Sequence, residues 1–196
     1  MNADAVRASY DVICAEAGPR VTVVAATKYV APEDMRILAD AGVAIAGENR
    51  AQDMQRKHAL HGDAFRWHFI GALQSNKARI VNEICELVHA VDTDSTARRL
   101  TVPWLLEVNL AGESSKSGVG VSEIAEYRER YPLMCGLMTM PPFADDPEAS
   151  RPHFARLREL AGEHGLQHLS MGTSQDYRVA GEEGATLVRL GTILYA

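Results

Sequence analysis

A lysine stands directly after an apolar segment near the start of the chain. The segment "RVTVVAAT" (20–27) is rich in β-branched residues, and Lys28 follows it. Most lysines lie in solvent, so a surface position is the default interpretation. A lysine that is partly removed from water can instead act as an amine nucleophile toward an aldehyde. Lys28 is therefore a candidate for covalent attachment of a carbonyl compound.

Two later segments combine glycine with hydroxyl side chains, and both suit an anion. They are "SMGTS" (170–174) and "RLGT" (189–192), which supply Gly172, Thr173, Ser174, Gly191 and Thr192. Glycine lets backbone N–H groups approach a phosphate, and hydroxyls add donors. A helix that starts near Ser174 would add its positive end. Together with Lys28, these segments indicate a phosphorylated carbonyl ligand, either pyridoxal 5′-phosphate (PLP) or a sugar phosphate.

The elements that position these residues are short apolar segments that alternate with helical patterns. Eight such segments are candidate strands: 20–27, 43–48, 67–71, 87–92, 104–110, 133–140, 168–172 and 186–191. Alternation of strands and helices favours a parallel sheet. Eight units predict a single (β/α)₈ barrel, with an open doubly wound sheet as the alternative. In such a barrel, the residues that follow each strand converge on one mouth, which would place Lys28 beside both glycine-containing loops.

Two intervals are short for a complete ring of helices. The stretch 92–103 leaves little room for a helix before the next strand, and the chain stops at "GTILYA". A parallel crossover normally takes a dozen or more residues. We therefore expect abbreviated helices, or missing segments near 97–104 and at the C-terminus. No linker interrupts the chain, so residues 1–196 are predicted to form one domain.

Composition narrows the class of protein. The chain has 196 residues, a net charge of −6 and 46% hydrophobic residues, which is typical of a globular domain and argues against a broad basic face for nucleic acid. Its three cysteines form no CxxC pair, which fits a reducing compartment. No signal peptide or long apolar run is present. We expect a cytoplasmic protein that binds neither nucleic acid nor membrane.

Seven motifs occur in an order that resembles the PLP homeostasis protein family of the YggS/PROSC type. They are Lys28 after the first strand, "GEN" (47–49), "WHFIGALQSNK" (67–77), "SSKSG" (114–118), "GLMTMPP" (136–142), "LSMGTSQD" (169–176) and "VRLGTILY" (188–195). The resemblance spans nearly the whole chain. It departs at Thr173, where the family usually has methionine, and at Arg50, where a tyrosine is common; both changes affect the wall of the pocket.

The resemblance implies a barrel like the N-terminal domain of alanine racemase, with PLP as a Schiff base on Lys28. It implies phosphate contacts from Ser174, Gly191 and Thr192, with Asn49 beside the cofactor and Arg189 near the pyridine nitrogen. The family is thought to buffer or deliver PLP, with no established turnover. Strand alternation independently places Arg189 on the opposite face from Val188 and Leu190.

Two enzymatic alternatives stay open. A PLP-dependent amino-acid racemase needs a second acid/base group opposite the lysine, which its relatives take from another domain, and this chain leaves no residues for one. A Schiff-base aldolase acting on a sugar phosphate is the other. We expect a monomer whose partners are PLP and, for delivery, apo PLP-dependent enzymes.

Further polar residues are weaker candidates for a role in the site. Lys77 and Lys116 follow predicted strands, but solvated positions are the simpler interpretation. His68 lies inside an apolar strand and is predicted to be a structural core histidine. The spacing of the histidines predicts no metal site.

Overall fold

The computed structural model describes residues 1–112 and 117–195. Eight parallel strands close into a barrel in chain order. Their bounds are β1 Thr22–Ala26, β2 Ile45–Glu48, β3 Arg66–Phe69, β4 Leu87–Val91, β5 Trp104–Glu107, β6 Met134–Met138, β7 His168–Ser170 and β8 Leu187–Leu190. β1 pairs with β8 over four positions, from Thr22 opposite Leu187 to Ala25 opposite Leu190. The predicted (β/α)₈ barrel is confirmed, and the open-sheet alternative is wrong.

Helices surround the strands on the outside. Their bounds are α1 Ala3–Ala17, α2 Met35–Asp40, α3 Ala51–His61, α4 Ala78–Ile84, α5 Asp94–Ala97, α6 Ile124–Arg130, α7 Arg151–Glu163, α8 Tyr177–Glu182 and α9 Thr192–Tyr195. Local sequence explains several starts. The Asn2 side chain caps α1 by accepting from the Asp4 amide at 2.9 Å. Pro152 lies in the first turn of α7, where its missing N–H has no intrahelical partner to lose.

Both short intervals, between β4 and β5 and after β8, contain helices of a single turn. Only the single turn of α5 joins β4 to β5. After β8 the chain forms α9, a one-turn helix that the sequence did not predict. α1, which precedes the first strand, packs against α8 and α9 and covers the outer face of the barrel there. The ring is thus closed next to β8 by a helix from the other end of the described chain.

Strand alternation divides the apolar core into two layers. Val23, Ala46 and Val188 face outward and join the large cluster between strands and helices. The intervening positions face the barrel interior and form a smaller cluster: Val24, Ile45, Ile70, Leu87, Ala90, Leu105, Met138 and Leu187. Period-two alternation thus decides which side chains can meet inside the barrel. Within the described ranges, every helix is too short or too polar to cross a lipid bilayer.

Candidate ligand site at the carboxyl end of the barrel

A cavity of about 270 Å³ opens where the strands end. Its polar lining comes from different strands and the loops that follow them, namely Lys28, Asn49, Glu107, Ser117, Thr173 and Arg189. Lys28, Asn49 and Arg189, three of the residues that the resemblance assigns to the cofactor, line this one cavity. Ser174, Gly191 and Thr192 are not part of the lining, although Ser174 directly follows Thr173, which is.

Lys28 follows β1 and lies at the rim. Its side chain is exposed, and its ammonium lies 4.8 Å from the centre of the Tyr29 ring, within cation–π range. The partial removal from water expected from the sequence is therefore not seen. Lys28 is an accessible amine at the edge of the cavity.

The backbone just before Lys28 is anchored by a buried ion pair on the outer face of the barrel. Lys57, from α3, contacts the Glu48 carboxylate and donates to the Thr27 carbonyl oxygen at 2.7 Å. The Thr27 hydroxyl donates to the same carboxylate oxygen at 2.6 Å. Glu48 alternates with Gly47 along β2 and faces α3, like Ala46. Lys57 was overlooked because a lysine in a polar helical pattern is usually solvated.

Asn49 presents an acceptor with no partner. Its side-chain oxygen Oδ1 is buried and makes no hydrogen bond within the described part of the protein. The loop after β3 can pass close to the Asn49 backbone only because residue 71 is glycine: a Cβ there would lie 2.5 Å from the Asn49 carbonyl oxygen. An unpaired buried acceptor is costly, so this oxygen is a natural contact for a ligand donor.

Arg189 faces the barrel interior, as strand alternation predicted, and is only 7% exposed. Its guanidinium donates to the Ser170 hydroxyl, and also to the Thr139 carbonyl oxygen at 3.2 Å. Burial lowers the pKa of Arg189 to about 10, so the side chain remains a cation at neutral pH. It supplies fixed positive charge and hydrogen-bond donors at the cavity wall.

The loop after β7 differs from the prediction. α8 begins at Tyr177 rather than near Ser174. Asp176 accepts from the Thr173 amide at 2.7 Å and from the Thr173 hydroxyl at 3.1 Å. The Ser150 hydroxyl holds the other oxygen of this carboxylate at 2.7 Å. These contacts occupy the Thr173 donors and leave a turn at Ser174, which is half-buried.

The loop after β8 lies against the end of β1. A Cβ on Gly191 would lie 3.8 Å from the Cβ of Ala26, which lines the cavity. Thr192 is exposed and begins α9. The first amides of a helix have no intrahelical acceptors. Gly191 therefore lies beside Ala26 at the rim of the cavity, and the free amides at the start of α9 follow it in the chain.

Glu107 is a cavity residue that the sequence analysis missed. Its carboxylate accepts from the Ser117 hydroxyl at 2.7 Å, and burial raises its pKa. The alternation in "WLLEVNL" could have found it, since Glu107 shares a face with the inward-facing Leu105.

The other candidates take structural places or fall outside the description. His68 is buried and hydrogen-bonded to His89, which confirms its prediction as a core histidine. Lys77 is half-buried and does not line the cavity. Lys116 lies outside the described residues. Among those residues, no three His, Cys, Asp or Glu side chains are grouped so that they could hold a metal ion.

The fold and the cavity assign the protein to one structural class, and comparisons with known proteins give the same class. The family model described as "Alanine racemase, N-terminal domain" matches residues 1–196. The PLP homeostasis protein of Aquifex aeolicus is 40% identical over 191 residues, covering 87% of this chain and 84% of that protein. The protein of the same name from Pseudomonas aeruginosa is 41% identical over 172 residues, covering 79% and 75%.

A solved structure gives the same result in three dimensions. PipY of Synechococcus elongatus, solved with PLP bound, superposes with a TM-score of 0.89 at 28% identity, covering 97% of this chain and 100% of that one. The class is thus a barrel of the alanine racemase N-terminal type. Within it, the chain belongs to the PLP homeostasis protein family.

Proposed function

We propose that this protein binds PLP in the cavity at the carboxyl end of the barrel and serves intracellular PLP homeostasis by buffering or delivering the cofactor. The observation that carries the proposal is the meeting of an accessible amine, a buried unpaired acceptor and a buried guanidinium in one cavity, at Lys28, Asn49 and Arg189. The relative PipY, solved with PLP, has the same fold.

The chemistry of these side chains fits PLP group by group. When bound, PLP offers an aldehyde that condenses with a primary amine, together with a phenolic hydroxyl, a ring nitrogen and a phosphate. Lys28 supplies the amine, and Asn49 supplies an acceptor for a hydroxyl. Arg189 supplies donors for an unprotonated ring nitrogen. The phosphate is assigned to Ser174, Gly191 and Thr192, which belong to the loops that follow β7 and β8.

The nature of Arg189 favours a carrier over an efficient enzyme. A guanidinium only donates hydrogen bonds and stays charged, so it favours an unprotonated ring nitrogen. An unprotonated ring withdraws electrons less strongly than a protonated one, which weakens chemistry that depends on the cofactor as an electron sink. An amino-acid racemase remains the second candidate, because it too tolerates this arrangement.

The test uses wild type, Lys28→Ala and Lys77→Ala: it compares their absorbance spectra after incubation with PLP, and their intact masses after subsequent borohydride reduction. We expect a visible band and a PLP mass adduct in wild type and Lys77→Ala, and neither in Lys28→Ala. A wild type without bound PLP refutes the proposal. An adduct that persists in Lys28→Ala refutes the assignment of the lysine.

The finer features of the function are part of the same proposal. Residues 1–196 act as one PLP-binding domain, as a cytoplasmic monomer that transfers PLP to apo PLP-dependent enzymes. Reactivation of an apo-enzyme faster than PLP dissociates from the protein would support delivery. Sustained turnover of any L- or D-amino acid at about 1 per second or faster would refute the carrier and favour the racemase.

A further inference from the structure

A chain of hydrogen-bonded side chains crosses the interior of the barrel and ends at Arg189. His68 Nδ1 lies 2.9 Å from His89 Nε2, and His89 Nδ1 lies 2.7 Å from the Ser170 hydroxyl oxygen, which accepts from Arg189. These four residues come from β3, β4, β7 and β8 and are all buried. Only Arg189 reaches the ligand cavity in this set, so the other three act on the ligand through it.

The positions of the hydrogens follow from Arg189. A guanidinium can only donate, so the Ser170 oxygen accepts from it. The single hydroxyl hydrogen of Ser170 then points to His89 Nδ1, which must be an unprotonated acceptor. A neutral ring with a bare Nδ1 carries its hydrogen on Nε2, so His89 donates to His68 Nδ1. His68 in turn carries its hydrogen on Nε2.

The opposite direction leaves a buried hydrogen without an acceptor. If His89 donated to Ser170, the serine oxygen would accept from both His89 and Arg189. Its hydroxyl hydrogen would then have no acceptor in these contacts, although Ser170 is fully buried. Burial also lowers the pKa of His68 to about 3 and that of His89 well below its usual value, with nearby Arg66, His168 and Arg189 acting in the same direction.

The far end of the chain lies at the opposite end of the barrel from the ligand cavity. The His68 ring lines a second cavity of about 590 Å³, which is bordered by the first residues of β1, β3 and β8. In the described residues, its Nε2 atom has no hydrogen-bond partner. The chain therefore runs from this cavity to the wall of the ligand site.

Neutral acceptors, rather than a carboxylate, hold Arg189. No Asp or Glu in the described ranges forms a salt bridge with it; its donors go to Ser170, the Thr139 carbonyl oxygen and the Met140 sulfur, while Glu107 and Asp176 act on it only from a distance. A hydroxyl that donates its own hydrogen is a stronger acceptor, so the histidines strengthen the contact with Arg189. The guanidinium is fixed without a carboxylate in direct contact.

We propose that His89 and His68 are positioning residues for Arg189: through Ser170 they hold the guanidinium in one orientation and leave its charge available to the bound ligand. The inference rests on the proposed function only in naming that ligand as PLP. The direction of the hydrogen bonds is a property of the protein without ligand, and it can be measured there.

The first test measures the tautomers in PLP-free wild type labelled with ¹⁵N-histidine. We expect both rings to be neutral Nε2–H tautomers at pH 7, with a ¹⁵N–¹⁵N coupling through the hydrogen bond that identifies His68 and His89 without a variant. An Nδ1–H tautomer or a charged ring at either position overturns the inference, whether or not the protein binds PLP.

The second test compares His89→Leu, His89→Gln and a control outside the cavity, the half-buried His164→Gln, for PLP affinity and for the absorbance of bound PLP. We expect His89→Leu to bind PLP about tenfold more weakly, as when one charge-assisted hydrogen bond is impaired, with a shifted band. His89→Gln retains an acceptor for Ser170, so it should recover much of the affinity. Wild-type affinity and spectrum in a folded His89→Leu overturn the inference, while absence of PLP binding in wild type overturns the proposed function instead.

Discussion

Replacing Lys57 with methionine should be among the most damaging single changes outside the ligand cavity. The side chains of Lys57 and Glu48 are only 4% and 1% exposed, and they form an ion pair. Oε2 of Glu48 already lacks a hydrogen-bond partner within the described residues. Lys57→Met would leave a buried carboxylate without its cation, and the Thr27 carbonyl oxygen without its donor.

The size of the effect follows from measured cases of this kind. Removing one partner of a buried ion pair costs about 3–5 kcal/mol, because the remaining charge stays buried and uncompensated. With a urea m-value of about 2 kcal/mol per molar, the unfolding midpoint should fall by about 1.5–2.5 M. The measurement is urea unfolding of PLP-free protein followed by circular dichroism, so that ligand binding does not contribute to the stability.

Two further variants separate the charge from the packing. The double variant Glu48→Gln/Lys57→Met removes both charges and should regain all but about 1 kcal/mol, which corresponds to the lost hydrogen bond to Thr27. Lys77→Met is the control, since Lys77 is half-buried and forms no salt bridge with any described residue. The reasoning is refuted if Lys57→Met unfolds at the wild-type midpoint, or if the double variant is no more stable than the single one.

Two other predictions concern stability. His68 and His89 stay neutral in the folded protein, while the unfolded chain takes up protons below about pH 6.5. The free energy of unfolding should therefore decrease as the pH is lowered, by up to about 1.4 kcal/mol per pH unit for each ring. Urea midpoints that do not change between pH 6.5 and 5 would contradict this. Gly136→Ala should lower the melting temperature strongly, because its Cβ would lie 2.1 Å from the His168 carbonyl oxygen. Gly162→Ala, in the helix α7 with no atom within 4 Å, should stabilise by about 0.5–1 kcal/mol; similar melting of the two variants would refute the steric argument.

Local periodicity carried most of the fold prediction. Eight apolar segments that alternate with helical patterns sufficed for the barrel, since parallel pairing leaves few other arrangements. The same period placed Arg189 inside, opposite Val188 and Leu190. It would also have placed Glu107 inside and Glu48 outside, had it been applied to every polar residue of every strand.

Contacts between distant segments could not be predicted in this way. α8 begins three residues later than expected because Asp176 binds the Thr173 amide, and Ser150 from another loop holds that carboxylate. The pair of Lys57 and Glu48 likewise depends on how α3 lies on the barrel. Such contacts are set by tertiary packing, which a single sequence does not show.

The local charge of the site also differs from that of the whole chain. A net charge of −6 argues against a broad basic face, yet it says little about a cavity of about 270 Å³. In the described lining, the charged side chains are Lys28, Arg189 and Glu107, two cations and one carboxylate. Neutral groups rather than a carboxylate contact Arg189 directly. An acidic protein thus presents a locally positive cavity, which is the electrostatic condition for holding a phosphate ester there.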